Sequence, residues 1–353
     1  MTNNSFTRFY NHEQLKPPDL LTQRPMNTWK HLLSRSITRP EQLPAFLRRN
    51  SPNLAKVIER YPMRINPYYL SLIRAPGDPL WLQAVPDELE INDQLCPDDP
   101  LAEENLSPVP NLVHKYPDRA LFLVSSACAM YCRFCTRKRK VGTGRLTVTP
   151  DTIRAGLDYL IKTPMIRDVL VSGGDPLLLD DEALINILAS LRRIPSIEII
   201  RIGTRIPCTL PMRVTARLAA LLKRFHPIYV NTHFNHPDEL TPQAMLALAR
   251  LADAGIPLGC QTVLLRGVND NPEVMKKLLQ KLLLNRVKPY YIFQGDLTKG
   301  TNHFRTSVGT GLAIMDEVNR HCSGLAQPTY AIDLPGGGGK VALLPQHEMY
   351  CRS

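Results

Sequence analysis

Short apolar runs alternate with amphipathic stretches of helical length from about residue 119 onward, and this alternation constrains the fold most. Strands are predicted at 120–124, 169–172, 198–202, 228–232, 258–264 and 290–293, and helices at 150–162, 181–193, 211–225, 240–254, 272–285 and 307–321. Six successive strand–helix units are typical of a parallel sheet with helices packed on its face. We therefore expect an α/β protein whose sheet partly closes into a barrel, with ligands at the carboxyl ends of the strands.

The chain divides into three regions by composition. Residues 1–110 are predicted to be mostly helical and interrupted by prolines, with helical spacing at 28–35 and 43–61 and a compact turn and helix at 66–70. Within them, the acidic and proline-rich residues 93–110 are expected to cross the molecule irregularly. Residues 111–325 hold the strand–helix units. Residues 326–353 form a short C-terminal segment in which the apolar runs 329–332 and 340–344 flank a glycine run.

Charge and hydropathy narrow the class of protein. Lysine and arginine exceed aspartate and glutamate by 43 − 32 = 11, which favours anionic partners such as phosphates, carboxylates, cofactors or nucleic acid. The first ten residues are polar and lack the apolar core of a secretory signal, and no apolar run is long enough to span a membrane. A cytoplasmic location is expected, and a disulfide framework among the eight cysteines is not.

Three of the cysteines, Cys128, Cys132 and Cys135, fall within eight residues after the first predicted strand. A mononuclear zinc site would need a fourth cysteine or histidine at a suitable spacing, and no such partner is evident nearby. An iron–sulfur cluster suits thiolate ligands, and an iron that lacks a protein ligand can bind a small molecule. The alternative is three incidental cysteines, although exposed loop thiols are otherwise a liability.

Residues 336–339 are four consecutive glycines followed by Lys340. A phosphate-binding P-loop requires a different glycine spacing and a serine or threonine after the lysine, where this chain has Val341. A surface linker is a second interpretation. The third is a mobile loop carrying a nucleophilic lysine, such as one that forms a Schiff base with pyridoxal phosphate (PLP).

The cysteine spacing, the aromatic Phe134 and the run from Val171 to Pro176 together resemble the radical S-adenosylmethionine (AdoMet) superfamily. That resemblance implies that Cys128, Cys132 and Cys135 hold a [4Fe–4S] cluster, and that AdoMet chelates the fourth iron. It also implies cofactor-binding positions at Phe134, Ser172, Gly173, Gly174 and Asp175.

Within that superfamily, the chain resembles the lysine 2,3-aminomutase family over roughly residues 60–345. The glycine run with its lysine is one shared motif, and further stretches match in order. These are Ser107-Pro-Val-Pro-Asn-Leu, Tyr116-Pro-Asp-Arg119, Thr136-Arg137, Asn231-Thr-His-Phe-Asn-His236, Gln261-Thr-Val-Leu-Leu-Arg-Gly-Val-Asn-Asp270 and His303-Phe-Arg-Thr306.

The resemblance implies a role for each matching position. Lys340 would bind PLP, Lys115 and Arg119 would form a basic pair near it, and Gln261 and His233 would line the cofactor cavity. Arg137 would pair with the substrate α-carboxylate, while Asp296 and Asp333 would hold its ε-ammonium. Such a set suits lysine, which needs a guanidinium at one end and carboxylates at the other. Taken singly, the two aspartates could be turn residues, and His233 and His236 could be satisfied structural histidines.

The implied activity is that of an L-lysine 2,3-aminomutase, which interconverts L-lysine and β-lysine with a 5′-deoxyadenosyl radical and a PLP-mediated 1,2-amino migration. The partners expected are lysine and an electron donor such as flavodoxin or ferredoxin, with neither nucleic acid nor membrane, while a homo-oligomer remains open. Alternatives are a mutase for arginine or another basic amino acid, a supplier of β-lysine for translation-factor modification, and, outside this class, an RNA-modifying radical AdoMet enzyme. Glutamate-acting relatives change the two acidic positions, so a basic substrate is favoured.

The sequence also departs from the family pattern. Longer members carry a C-terminal segment whose cysteines bind zinc between subunits, and another zinc cysteine lies where this chain has Asn271. We therefore expect no such zinc, and the usual assembly is in doubt. Lys115 stands where the family often has arginine, and Cys260 where it usually has asparagine. Lys138, Arg139 and Lys140 are expected to form a solvated basic face.

Overall fold

The structure, a computed structural model, describes residues 28–48, 53–334 and 338–344. The described N-terminal part contains short helices joined by irregular chain: α1 (Thr28–Ser34), α2 (Leu54–Arg60), α3 (Pro67–Leu70) and α4 (Pro79–Ala84). The predicted helical stretch at 43–61 is interrupted, because Pro44 precedes a single 3-10 turn and α2 begins only at Leu54. The turn and helix predicted at 66–70 are present, and the Asn66 side chain accepts a hydrogen bond from the Tyr69 amide.

One sheet runs through the rest of the described chain, with its strands in sequence order from β1 to β9. Strands β2 to β8 are parallel, and antiparallel β1 and β9 lie at the two edges. The strands are β1 (Leu112–Tyr116), β2 (Arg119–Ser125), β3 (Asp168–Gly173), β4 (Ile199–Gly203), β5 (Ile228–His233), β6 (Leu258–Leu264), β7 (Val287–Gln294), β8 (Thr329–Leu334) and β9 (Gly339–Ala342).

The predicted partial barrel is confirmed, and all six predicted strands are present. The connecting helices are α5 (Pro150–Lys162), α6 (Asp181–Arg192), α7 (Ile206–Thr209), α8 (Ala216–Leu222), α9 (Pro242–Asp253), α10 (Pro272–Leu284) and α11 (Val308–His321). The helix predicted at 211–225 is divided, because Pro211 begins a separate 3-10 turn before α8. The prediction included no strand at β1, whose five residues carry two charged or polar side chains and too little apolar periodicity.

Several helices begin with the same local sequence pattern, a capping threonine or asparagine followed by proline. Thr149, Thr241 and Asn271 each accept a backbone hydrogen bond at a helix N-terminus, and a proline follows each of them in the first helical turn. A side-chain oxygen satisfies an amide that has no partner in the first turn, and proline lacks the amide that would go unsatisfied. Asn271, where the resemblance led us to expect a zinc cysteine in longer relatives, thus caps a helix in this chain.

Alternate residues of the strands divide the interior into a core and a cavity. In β3, Val169 and Val171 are fully buried in the hydrophobic core, whereas Leu170 and Ser172 line a cavity on the other face. This follows from the two-residue period of a strand. The same core includes Trp29 and other residues of the N-terminal part. None of the helices in the described ranges has the length and apolar character needed to cross a bilayer.

Candidate active site

The cavity on the inner face of the sheet has a volume of about 430 Å³. Its wall includes the ends of several parallel strands, as expected for ligand sites in such barrels. Every residue predicted to bind substrate, cofactor or iron lines it: Lys115, Arg119, Cys128, Cys132, Phe134, Cys135, Arg137, Ser172, Gly173, Gly174, Asp175, His233, Gln261, Asp296, Asp333 and Lys340. Residues up to 225 positions apart in sequence therefore share one site.

The three cysteines lie in the loop between β2 and α5, at one end of the cavity. Burial raises the pKa of the Cys128 thiol well above its usual range and that of Cys135 to about 11. Hydrogen-bond donors nevertheless point at the sulfurs. The Arg205 guanidinium donates to Cys132 Sγ at 2.9 Å, and the Arg137 amide donates to Cys135 Sγ at 3.3 Å. These donors suit thiolates, which is the form that binds iron.

The donor set of the cysteine loop suits an iron–sulfur cluster. Within the described ranges, no three histidine, cysteine or carboxylate side chains converge on a point where one metal ion could bind. Each thiolate of an iron–sulfur cluster binds a different iron, so the three sulfurs need to surround a space and not a point. The donor set, three cysteines that line one cavity, is therefore chemically suited to such a cluster.

A buried charge network anchors the cysteine loop to the N-terminal part. Glu90 is fully buried between Arg133 and Lys138, with contacts of 2.5 Å and 2.7 Å. Burial alone would raise the pKa of Glu90, but the two cations lower it to about 2. Removing one partner of such a pair would leave an uncompensated buried charge, so the network holds the loop in place.

The prediction of a solvated basic face at residues 138–140 is wrong. Lys138 is buried in the network above. Arg139 pairs with Asp99 at 2.9 Å, and Lys140 pairs with Glu104 at 3.1 Å. The acidic segment between 93 and 104 supplies these partners, and such a distant pairing is invisible in the local sequence.

The glycines after β3 are required by close backbone contact. Gly173 has φ 132°, and a Cβ atom there would lie 2.3 Å from the carbonyl oxygen of Ser125. At Gly174 a Cβ atom would lie 2.4 Å from the carbonyl oxygen of Ala127. Only glycine lets this turn pack against the end of β2, next to the cysteine loop.

Asp175 joins two neighbouring strand ends. Its carboxylate accepts hydrogen bonds from the Thr204 hydroxyl and the Arg205 amide, both at 2.7 Å, and from the Leu177 amide at 3.0 Å. Burial raises the pKa of Asp175 to about 6 in spite of these donors. Its side chain is thus used within the protein, and the part of this turn left to face a ligand is the backbone.

Phe134 and His233 lie next to each other in the wall of the cavity. Their rings lie 5.5 Å apart, and His233 Nε2 lies 3.0 Å from the Asn235 side chain. Burial, with Arg205 nearby, lowers the pKa of His233 to about 3, so this histidine is neutral. His236 is a structural histidine, since its Nδ1 accepts the Asp238 amide at the start of a 3-10 turn.

The opposite end of the cavity lies where the two edge strands of the sheet, β1 and β9, come together, and we call this region the seam. Lys115 of β1 contacts Asp333 of β8 at 2.6 Å, and Lys340 of β9 contacts the other oxygen of Asp333 at 3.4 Å. The Lys340 ammonium also lies 5.4 Å from the centre of the Tyr116 ring. Side chains therefore bring the edge strands together here.

Asp296 lies beside this charged group in the loop after β7 and is half-buried. Burial raises its pKa to about 7, and repulsion from Asp333 acts in the same direction. Lys340 and Lys115 offset only part of that effect. Two lysines thus face two carboxylates, and the ion-pair contacts of both lysines go to Asp333.

Tyr116 and Arg119 make this end suitable for PLP. The Arg119 guanidinium stacks 3.9 Å from the centre of the Tyr116 ring, and the Tyr116 hydroxyl is buried without a hydrogen-bond partner in the described structure. A buried polar group without a partner is costly unless a ligand satisfies it. A phosphate between this hydroxyl, Lys115 and Arg119 would do so, with Lys340 close enough to bear the Schiff base.

Arg137 lines the cavity near the cysteines, but its guanidinium is not free. Arg137 Nε donates to Glu103 at 2.9 Å, and one terminal nitrogen donates to the other Glu103 oxygen at 2.5 Å. A second arginine in the wall, Arg305, has a buried Nε without a hydrogen-bond partner in the described ranges.

Sequence reasoning assigned no role to Glu103, Tyr116 or Arg305. Tyr116 and Arg305 lie in stretches that match the family, so their side-chain chemistry could have singled them out. Glu103 lies in an acidic segment with no recognisable motif. Only its contact with Arg137 reveals its place in the site.

The fold and the cysteine loop define a class, and the comparisons agree with it. Residues 122–279 match the model of the Radical SAM superfamily, and residues 315–351 match a model described as Lysine-2,3-aminomutase. An L-lysine 2,3-aminomutase of Clostridium subterminale is 47% identical over 91% of this chain and 79% of its own length. One from Methanococcus maripaludis is 48% identical over 91% and 76%, and a glutamate 2,3-aminomutase of Clostridioides difficile is 43% identical over 92% and 78%.

The chain belongs to the lysine 2,3-aminomutase family. It is therefore an isomerase that uses three cofactors: a [4Fe–4S] cluster, AdoMet and PLP. The geometry of the cavity fits all three, since the cysteines lie at one end, the Lys340 group lies at the other, and the backbone after β3 lies beside the cysteines.

Proposed function

We propose that this protein is an L-lysine 2,3-aminomutase that moves the α-amino group of lysine to carbon 3. One observation carries the proposal: a single cavity joins three clustered cysteines to a lysine that is paired with the carboxylate of Asp333. Sequence identity of 47% to a curated L-lysine 2,3-aminomutase supports the same conclusion. When bound, the cluster and AdoMet supply a carbon-centred radical and PLP stabilises the rearranging substrate.

The acid pair Asp296 and Asp333 selects the substrate side chain. A glutamate side chain would add a third carboxylate to two that are already close, and this is unfavourable in a buried site. The pKa of Asp296 is raised to about 7, and an ammonium group beside it would favour the ionised carboxylate. We therefore assign the ε-ammonium of lysine to these two carboxylates.

The opposite end of the substrate is assigned to Arg137. A guanidinium can bind a carboxylate through two parallel hydrogen bonds, so it defines orientation as well as charge. Lysine would thus be held at both ends. Lys340 would hold PLP, and Lys115, Arg119 and the Tyr116 hydroxyl would bind its phosphate.

The remaining assignments belong to the same proposal. The wall around AdoMet and PLP is assigned to Phe134, Ser172, Gly173, Gly174, Asp175, His233 and Gln261. The three-part division at residues 110 and 325 separates an N-terminal support, a radical core and a lysine-bearing edge. A small one-electron protein such as flavodoxin or ferredoxin would reduce the cluster in the cytoplasm. Residues 345–353, including Cys351, lie outside the described residues, so the subunit assembly stays a prediction.

The test is an anaerobic assay of the reconstituted protein with lysine, AdoMet, PLP and reductant. Mass spectrometry should detect β-lysine, with cluster and PLP content measured on the same sample. Arginine and glutamate serve as competing substrates, and lysine should be preferred over both. The proposal fails if a fully loaded protein makes no β-lysine, and RNA binding without PLP would favour the RNA-modifying alternative.

A further inference from the structure

The pair formed by Glu103 and Arg137 leaves one side of the guanidinium unused. A guanidinium presents two edges for parallel hydrogen bonds: one from Nε and a terminal nitrogen, the other from the two terminal nitrogens. Glu103 occupies the first edge, with contacts of 2.9 Å and 2.5 Å. The described structure assigns no hydrogen bond to the other terminal nitrogen. That edge is available to a carboxylate ligand.

Both residues belong to the cavity wall, and neither is free to reorient easily. The side chain of Glu103 is only 8% exposed and that of Arg137 19%. The backbone amide of Arg137 also donates to Cys135 Sγ, which holds the start of this side chain beside the cysteine loop. The pair therefore presents a fixed edge at the place where the substrate carboxylate is proposed to bind.

The chain around Glu103 is itself tied down, although it has no regular secondary structure. The Ser107 hydroxyl donates to the Glu103 carbonyl at 2.6 Å, and the neighbouring Asp99 pairs with Arg139 at 2.9 Å. Earlier in the same segment, Asp93 accepts the Gly300 amide at 2.9 Å. These contacts fix the position of the Glu103 carboxylate relative to the cavity.

We propose that Glu103 is a positioning residue that holds Arg137 by one edge, so that the other edge binds the α-carboxylate of the amino-acid substrate. The inference rests on the proposed function, because it needs a substrate with an α-carboxylate. Charge repulsion alone would have the opposite effect, because Glu103 is an anion close to the bound carboxylate and its removal would then strengthen binding. The proposal predicts that orientation of Arg137 outweighs this repulsion, so removing Glu103 should weaken binding of the carboxylate.

The experiment compares lysine with lysinamide, which differs at the α-carboxylate, on the PLP-loaded and cluster-loaded protein. Binding is followed by the change in the visible spectrum of PLP. In E103Q, the dissociation constant for lysine should rise at least about tenfold, as expected when a charge-assisted contact is lost. Lysinamide affinity should change less than about threefold, since that ligand makes little use of the free edge.

E104Q is the matched control, because Glu104 belongs to the same segment, is 60% exposed and pairs with Arg139 and Lys140. It should leave the preference for lysine over lysinamide unchanged. A merely structural role for Glu103 would weaken both ligands equally and would overturn the proposal, as would tighter lysine binding in E103Q. If R305Q loses the preference while E103Q keeps it, Arg305 binds the carboxylate and the proposal is also wrong.

Folding is checked by thermal melting. If E103Q unfolds at the assay temperature, E103D is used for the same measurement. Aspartate keeps the negative charge, but its side chain is one methylene shorter, so the carboxylate lies farther from Arg137. Wild-type protein that neither binds nor converts lysine would contradict the proposed function. Wild-type protein that converts lysine, together with an unchanged preference in both Glu103 variants, would contradict this inference alone.

Discussion

The two ends of the cavity are built by different means. At the cysteine end, close backbone contacts such as that of Gly173 and the buried charges around Glu90 hold the loop in place. At the seam, the edge strands β1 and β9 meet through Lys115, Lys340, Asp333 and Tyr116, and β9 is mostly exposed. The cysteine end is held by tight packing and fully buried charges, whereas the seam is held by ion pairs beside an exposed edge strand.

This difference matches the demands on each end. A cluster that must accept an electron and bind AdoMet needs ligands that stay in place, which tight packing provides. A lysine that must release PLP to the substrate needs an environment in which charges can exchange partners. The ion pairs of the seam allow such exchange, because a substrate ammonium can take the place of a lysine ammonium.

The largest expected effect comes from removing a cluster ligand, which should abolish the function of the cysteine end and leave PLP binding at the seam intact. Cys132→Ala should abolish iron binding to the cluster site and lower the rate of β-lysine formation by more than roughly 10⁴-fold, because no radical can form. The visible absorbance of PLP bound to Lys340 should persist, measured with iron content on one sample. Cys322→Ala, at the end of α11, is the control and should keep its iron. Simultaneous loss of PLP binding would show that the ends are not independent.

The reciprocal change acts at the seam. Lys340→Ala should remove the visible Schiff-base absorbance of PLP and lower the turnover rate by roughly 10³-fold, since binding alone can sustain some reaction after loss of a covalent residue. Iron content should not change. Lys276→Ala, on the exposed face of α10, is the matched control. If K340A retains the absorbance, another lysine carries PLP.

A pair of glycine substitutions compares the rigidity of the ends. Gly173→Ala should destabilise the protein by more than about 3 kcal/mol, since its Cβ would lie 2.3 Å from a backbone oxygen. Gly339→Ala should cost only about 1 kcal/mol, because the nearest atom of Tyr116 is 3.7 Å away and only the positive φ is strained. Denaturant unfolding measures both, and equal losses would contradict the comparison.

The smallest effect is a pH dependence at the seam. The pKa of Asp296 is raised to about 7 in surroundings that include Asp333, Glu103, Lys115 and Lys340. Below that pH the carboxyl is protonated and must lose its proton to bind an ammonium. The affinity for lysine should therefore rise by up to about tenfold per pH unit as the pH approaches 7 from below, then level off.

The spectroscopic titration with lysine should show this dependence in the wild type and lose it in Asp296→Asn. The substituted protein also binds lysine more weakly at neutral pH, since one carboxylate is gone. A wild-type affinity that does not vary between about pH 5.5 and 7.5 would mean that Asp296 does not contact the ammonium.

Much of the barrel could be predicted because its signals are local. Each predicted strand is a short apolar run, and caps such as Thr241 with Pro242 mark a helix start within two residues. Predictions were wrong or incomplete where a partner is distant. The local sequence around Lys138 is typical of a surface lysine, but in the folded protein this side chain is buried and donates to Glu90, 48 residues away in sequence. β1 pairs at a sheet edge, and its own residues carry little strand signal.

The sequence by itself determined the succession of strands and helices, the cysteine spacing and the lysine after the glycine run. Those are properties of neighbouring residues, and local sterics, capping and hydrophobic periodicity control them. Only the tertiary structure decided that Glu103 binds Arg137, that burial and the nearby Asp333 raise the pKa of Asp296, and that ion pairs close the seam. These features depend on burial and on charges brought together across more than thirty residues, because electrostatic interactions are strong only where folding excludes water.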